Sequence, residues 1–162
     1  MIDVNFMSPS KGSMSIEEVA RDILAFRAQA PEHPYRLIVG SDSQPQTSHH
    51  SAVFVTAVII HRVGNGARFY FLKRPYKKPM AFRQRIFTEA SMALEVVQVL
   101  ETALGEAGNK LPIEIHLDVG EQGATRTIIK DLVGWVTQSG YETKIKPESF
   151  GASKVADRFT KF

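Results

Sequence analysis

The sequence predicts a single α/β domain of 162 residues with a mixed five-stranded sheet flanked by helices. Segments rich in β-branched residues alternate with segments of helical periodicity. The turn Gly64-Asn65-Gly66 joins two strand segments as an antiparallel hairpin. The later strands are separated by helices, and such crossover connections make part of a sheet parallel. The predicted order is therefore helix, three strands, helix, strand, helix, strand, helix.

The N-terminal region has two parts. Residues 1–14, where proline, glycine and serine interrupt any periodic pattern, are expected to form an irregular lead-in to one domain over 15–162. Ser15 and Glu18 have capping-box spacing and predict the start of the first helix. This helix must end before Pro31, because the residue before a proline disfavours helical geometry.

The remaining elements follow in close order. The predicted strands span 35–41, 50–63, 67–73, 113–119 and 141–146, and the predicted helices span 82–106, a segment that ends at Gly140, and 152–160. Ligands of such sheets bind at the carboxyl ends of the strands, so we expect a functional site there.

Composition excludes several classes of function. The chain has no cysteine, which rules out disulfides, cysteine-ligated zinc and thiol catalysis. Its apolar runs are too short for a membrane span, and the N-terminus lacks the pattern of a secretory signal. We therefore expect a soluble cytoplasmic protein without a membrane partner. Nothing in the sequence indicates the oligomeric state.

One segment of the chain is strongly basic. Residues 73–85 contain six basic side chains and no acidic one, although the formal net charge of the whole chain is only +3. Such a segment suits a nucleic-acid backbone, and Tyr76 and Phe82 could add stacking with bases. The alternative is a solvated loop of a mildly basic protein.

Two acidic residues have positions that suggest chemistry. Asp42 follows the apolar part of the first predicted strand, where an α/β active site would place a carboxylate; the alternative is a turn residue. Glu89 lies on the apolar stripe of the long helix, three residues after Ile86. A carboxylate that faces a core needs a cation or hydrogen-bond donors, and Arg85 could supply the charge without any function.

Two further acids complete the candidate set. Strand alternation places Asp118 on the same face as Glu114 and His116, and His116 is expected to pack or hydrogen-bond rather than bind metal. Asp157 lies in the final predicted helix and points away from its apolar side. Clustered carboxylates repel one another and need cations, and hard oxygen ligands favour Mg²⁺ or Mn²⁺. Two such ions could activate water against a phosphodiester.

Four strings resemble the ribonuclease H-like superfamily, and more closely the bacterial YkuK-type family: IVGSDSQ (38–44), FTEAS (87–91), EIHLDVG (114–120) and KIKPESFGASKVADRFTK (144–161). The resemblance covers nearly the whole chain and treats the N-terminal helix as an addition to the superfamily core. It implies that Asp42, Glu89, Asp118 and Asp157 are the catalytic metal ligands. Gln44 stands where proofreading exonucleases of the superfamily have a second acid, so the set is most similar to that of ribonuclease H. Specificity for RNA–DNA hybrids does not follow.

These observations predict a metal-dependent nuclease. The expected contacts with nucleic acid, whether RNA, DNA or a hybrid, are Ser43, Gln44, Lys77, Lys78, Arg83, Arg85, Lys146 and Lys154. The first alternative is a nucleic-acid-binding module that keeps the fold without catalysis. The second is phosphoryl transfer from a nucleotide, which the missing glycine-rich phosphate loop disfavours.

Overall fold

The computed structural model describes residues 5–45, 51–78, 80–120, 126–146 and Ser149. The predicted helix over 152–160 lies outside the described residues, as do Lys154 and Asp157. No helix in the described ranges is both long and apolar enough to cross a membrane.

A mixed sheet runs through the molecule, as predicted. Its strands are β1 (Phe6–Ser8), β2 (Gly12–Met14), β3 (Tyr35–Pro45), β4 (Ala52–Arg62), β5 (Ala67–Tyr76), β6 (Ile113–His116) and β7 (Glu142–Lys144). The strand order is β2-β1-β5-β4-β3-β6-β7. β3, β4 and β5 pair antiparallel, whereas β6 pairs parallel with both β3 and β7. The hairpin between β4 and β5 and the parallel crossovers are therefore both confirmed.

The N-terminal hairpin corrects the prediction of an irregular lead-in over 1–14 and a five-stranded sheet. β1 and β2 pair antiparallel, and Met7 of β1 pairs with Phe71 of β5, so the sheet has seven strands among the described residues. Each added strand has three residues, too few for alternation to be recognised in the sequence. The hairpin is held to the core by the buried side chains of Phe6 and Met14.

Asp22 connects this hairpin to the rest of the domain. It lies on the first helix, is 6 % exposed, and accepts hydrogen bonds from Lys11 of the hairpin loop at 2.5 Å and from Arg68 of β5 at 3.0 Å. The hydroxyl of Tyr70 donates a third bond to the same carboxylate. Burial acts to raise the pKa of Asp22, but the bonds from Lys11 and Tyr70 and the charge of Arg68 lower it below 3.8.

The helices are α1 (Ile16–Gln29), α2 (Phe82–Leu104) and α3 (Ile129–Thr137). The predicted capping box is confirmed, since Ser15 and Glu18 exchange side-chain and backbone hydrogen bonds at the start of α1. Alternate sheet residues such as Leu37 and Val58 form one buried cluster with apolar side chains of all three helices. The helices therefore pack on one face of the sheet.

Strand directions define the end of the sheet that matters for function. β3, β6 and β7 are parallel, and β5 runs the same way because β4 is antiparallel to both of its neighbours. We call the end where these four strands finish the carboxyl edge. Since α2 follows β5 and α3 follows β6, both helices begin at the carboxyl edge.

Candidate active site

Asp42 lies on β3, and Asp118 lies two residues beyond the end of the neighbouring strand β6. The parallel register pairs Gly40 of β3 with His116, the last residue of β6, so each acid follows this pair by two residues and lies at the carboxyl edge. Asp42 is buried within β3, with Val55 of β4 as its antiparallel partner. The side chain of Asp118 is 26 % exposed and is open to a ligand.

Glu89 approaches the same edge from α2. It is 6 % exposed, which confirms that it lies on the apolar stripe of the helix. Its carboxylate accepts a hydrogen bond from the Ser43 hydroxyl. Burial, together with the carboxylates of Asp42 and Asp118, raises the pKa of Glu89 to about 8; the Ser43 bond opposes this shift, and Arg85 opposes it more weakly. Three acids that are distant in sequence therefore interact electrostatically.

A small cavity lies between the helices and the end of β6. Glu89 and Asp118 both line it, together with Ser41 and with Leu132 of α3. Its volume of about 10 Å³ is close to what one water molecule needs. Glu89 of α2 and Asp118 after β6 therefore line the same small cavity.

Lys146 compensates one of these acids. Its ammonium nitrogen lies 2.9 Å from Asp118 Oδ1, and its backbone amide donates to the carbonyl oxygen of Val119. We expected Lys146 to contact a phosphate, and the structure pairs it with a candidate metal ligand. The lysine side chain is 57 % exposed, so the pair is partly screened by water.

Most of the other residues predicted to contact nucleic acid lie at the same end of the sheet as the acids. Lys77, Lys78 and Arg83 are exposed and lie just after β5 or in the first turn of α2, at the carboxyl edge. Arg85 is half-buried, and Gln44 is half-buried near the end of β3. Positive side chains therefore lie at the same end of the sheet as the acids.

The structure gives Ser43 a role that the sequence analysis missed. Ser43 was expected to contact phosphate, but it is buried and its hydroxyl holds Glu89. One signal was present in the sequence. Ser41 and Ser43 continue the alternate positions of Leu37 and Val39, so two polar residues extend the apolar face of β3 towards the site.

A second polar network lies beside the site on β6. His116 Nε2 is 3.0 Å from Glu114 Oε1, and Arg36 Nε is 3.3 Å from the other carboxylate oxygen of Glu114. This confirms the expectation that His116 hydrogen-bonds on the sheet.

The donor chemistry of Asp42, Glu89 and Asp118 fits a hard divalent cation, because all three offer carboxylate oxygens. The repulsion that raises the pKa of Glu89 is the kind that a cation would relieve. Across the described residues, however, no group of three histidine or acidic side chains is arranged so that it could hold a metal ion. The fourth predicted ligand, Asp157, lies outside those residues.

Two comparisons with known proteins bear on this site. The family model described as "Ribonuclease H-like" matches residues 18–161. The chain is also 31% identical, over 169 aligned positions, to the uncharacterized protein YkuK of Bacillus subtilis (strain 168), and the alignment covers 96% of each protein. Both matches extend over the strands and helices that position the acids.

Proposed function

The chain belongs to the ribonuclease H-like family, in its YkuK-type group, and on that premise we propose that it is a divalent-metal-dependent nuclease. Family membership indicates chemistry related to nucleic acids, and the site must supply the reaction. The proposed reaction is hydrolysis of a phosphodiester bond. Its substrate is the backbone of RNA, DNA or a hybrid.

One observation carries this proposal. Asp42, Glu89 and Asp118 come from a strand, a helix and the end of a second strand, and they interact at the carboxyl edge. Repelling carboxylates cost stability unless a cation neutralises them. A fold that brings three together, with basic side chains at the same end of the sheet, is suited to binding a polyanion through cations.

The residues divide into ligands and supports. Asp42, Glu89 and Asp118 would hold Mg²⁺ or Mn²⁺, and Asp157 would be the fourth ligand. The bound ions would activate water and neutralise charge on the phosphate. Ser43 orients Glu89 by donating to its carboxylate, and Lys146 holds Asp118 in place. Lys77, Lys78 and Arg83 would attract the nucleic-acid backbone.

The test measures cleavage of labelled RNA, DNA and hybrid strands with Mn²⁺, with Mg²⁺ and with a chelator. We expect cleavage that needs the cation and that Asp42→Asn and Asp118→Asn each reduce by about a thousandfold, as for loss of a central catalytic group. Glu32→Gln is the control, because Glu32 is 72 % exposed and precedes β3 at the opposite end of the sheet. Full activity in either Asn variant would make the site assignment wrong.

A second candidate is a nucleic-acid-binding module without catalysis. The ion pair between Lys146 and Asp118 favours it, because the lysine supplies the neutralising charge that a metal would otherwise provide. Such a module would bind oligonucleotides equally well in chelator, and its affinity would fall steeply with salt. Binding without any cation-dependent cleavage would establish this alternative.

A further inference from the structure

An aromatic pair with one exposed ring lies outside the acidic site. Phe87 of α2 and Trp135 of α3 place their ring centroids 5.9 Å apart, with an interplanar angle of 35°. Phe87 packs against the core, whereas Trp135 is 41% exposed. Trp135 is also the only tryptophan in the chain. A large indole supported from below by a second ring presents a flat apolar surface to a ligand.

The position of this pair connects it to the candidate active site. Both α2 and α3 begin at the carboxyl edge; Phe87 lies in the second turn of α2, and Trp135 lies in the last turn of α3, which has only nine residues. Leu132, which precedes Trp135 by three residues, lines the cavity that Glu89 and Asp118 share. One helical turn is about 5 Å long. A chain that crosses the acids could therefore extend to the aromatic pair.

Cationic side chains accompany the rings. The guanidinium of Arg83 lies 4.9 Å from the centroid of Phe87, and that of Arg85 lies 5.6 Å from the centroid of Phe82, which is 43% exposed. Arg83 also pairs with Asp131 at 3.3 Å, but both side chains are more than half exposed, so this pair is weak. Aromatic rings beside guanidinium groups can combine base stacking with phosphate binding.

We propose that Arg83, Phe87 and Trp135, which we call the stacking platform, bind a single-stranded segment of the nucleic-acid substrate. An unpaired base stacks on Trp135, and Arg83 contacts a neighbouring phosphate. The inference rests on the proposed function, because that function makes nucleic acid the ligand. Bases inside a duplex have their faces covered by neighbouring pairs, so the platform selects strands with unpaired bases.

Trp135 allows a direct test, because its emission is the only tryptophan signal in the protein. The protein is titrated in chelator with an unlabelled single-stranded oligonucleotide of about ten nucleotides, a typical site size. We expect saturable quenching of the emission. A duplex of the same length and an abasic strand of equal charge should leave the emission nearly unchanged. Chelator prevents cleavage, so the result is independent of nuclease activity.

Three variants sharpen the test through the anisotropy of a labelled strand. Trp135→Ala should weaken binding about tenfold, whereas Trp135→Phe keeps a ring and should stay within about threefold. Met7→Ala is the matched control, because Met7 is also 41% exposed. Met7 lies on β1, which three strands separate from β6 and β7, the strands that α3 connects. Circular dichroism and thermal unfolding show whether each variant is folded.

Several results would overturn the platform. Absence of binding, tight binding with unchanged emission, or equal quenching by the abasic strand each contradict stacking on Trp135. So does an emission that changes with protein concentration alone, because a second copy of the chain would then cover the indole. Cation-dependent cleavage without quenching would reject the platform and keep the nuclease. Quenching without cleavage would reject the nuclease and keep the platform.

Discussion

Asp22 and Glu89 are buried to the same extent, each 6 % exposed, but they lie in opposite electrostatic surroundings. Asp22 accepts hydrogen bonds from two cations and a tyrosine, and its pKa is lowered. Glu89 accepts one hydroxyl, has two carboxylates nearby, and has a pKa raised to about 8. The first acid is satisfied by the protein itself. The second has neighbouring carboxylates that help to raise its pKa, and we propose that this difference separates a structural carboxylate from a functional one.

The largest effect that this comparison predicts is a loss of stability when Asp22 is replaced. We call Asp22 and its partners Lys11, Arg68 and Tyr70 the Asp22 cluster. Asp22→Asn leaves Lys11 and Arg68 without their shared anion, and we expect the free energy of unfolding to fall by about 3 kcal/mol. Urea denaturation measures the change. Glu17→Gln is the control, because Glu17 lies on α1 but is exposed and outside the cluster. A loss below about 0.5 kcal/mol, typical of surface sites, would show that the cluster does not anchor the hairpin.

Replacement of Glu89 should change the stability in the opposite direction to replacement of Asp22. Glu89→Gln keeps an acceptor for Ser43 and removes an acid whose ionised form is disfavoured by burial and by Asp42 and Asp118, so we expect stability to rise by about 1 kcal/mol. The same variant should lose nuclease activity. Denaturation and cleavage assays on one preparation measure both effects. If stability fell as much as in Asp22→Asn, Glu89 would be a structural residue, and the contrast between the two acids would disappear.

The contrast also shows which parts of the fold the sequence could predict. The apolar stripe of α2 placed Glu89 in the core, because helical periodicity depends on residues close in sequence. The strand predicted over 113–119 ends at His116, so Asp118 lies beyond it. The hairpin of β1 and β2 was missed, since strands of three residues show no period. It is stabilised by burial of Phe6 and by contacts with β5, which local patterns do not report.

The sequence also predicted only part of the candidate site: its acids, but not their partners. Residue type and position identified Asp42, Glu89 and Asp118, but their partners are distant along the chain. Ser43 meets Glu89 across 46 residues, which no local pattern indicates. The pair of Lys146 and Asp118 likewise depends on β6 and β7 lying side by side. Long-range pairing thus determined the partners of Glu89 and of Asp118.

Acid should weaken the Asp22 cluster over a defined range of pH. The folded pKa of Asp22 lies below its ordinary value of 3.8, so its contribution to stability is complete above pH 3.8. It is lost as the pH falls through the folded pKa, by at most about 1.4 kcal/mol per pH unit. The measurement is the stability difference between wild type and Asp22→Asn as a function of pH. This difference should be constant near neutrality and narrow below pH 3.8; narrowing already at pH 6 would contradict the assignment.

Replacement of Lys146 should have the smallest effect on stability and a separate effect on metal affinity. Its bond to Asp118 is partly exposed to water, so Lys146→Gln should change stability by less than about 1 kcal/mol. The lysine nevertheless competes with any cation for Asp118. If the acids bind metal, removing this charge should strengthen Mn²⁺ binding about tenfold, the size expected for a contact between unit charges in water.

Calorimetric titration with Mn²⁺ measures that affinity, and Lys144→Gln is the matched control. Lys144 is a neighbouring lysine that pairs with Glu142 at 3.0 Å rather than with a candidate ligand. Stronger binding in Lys146→Gln but not in Lys144→Gln would show that Asp118 is shared between lysine and metal. If neither variant nor the wild type bound Mn²⁺, Lys146 would be the permanent partner of Asp118. The carboxyl edge would then act as a binding surface, with Glu89 kept neutral by its own buried environment.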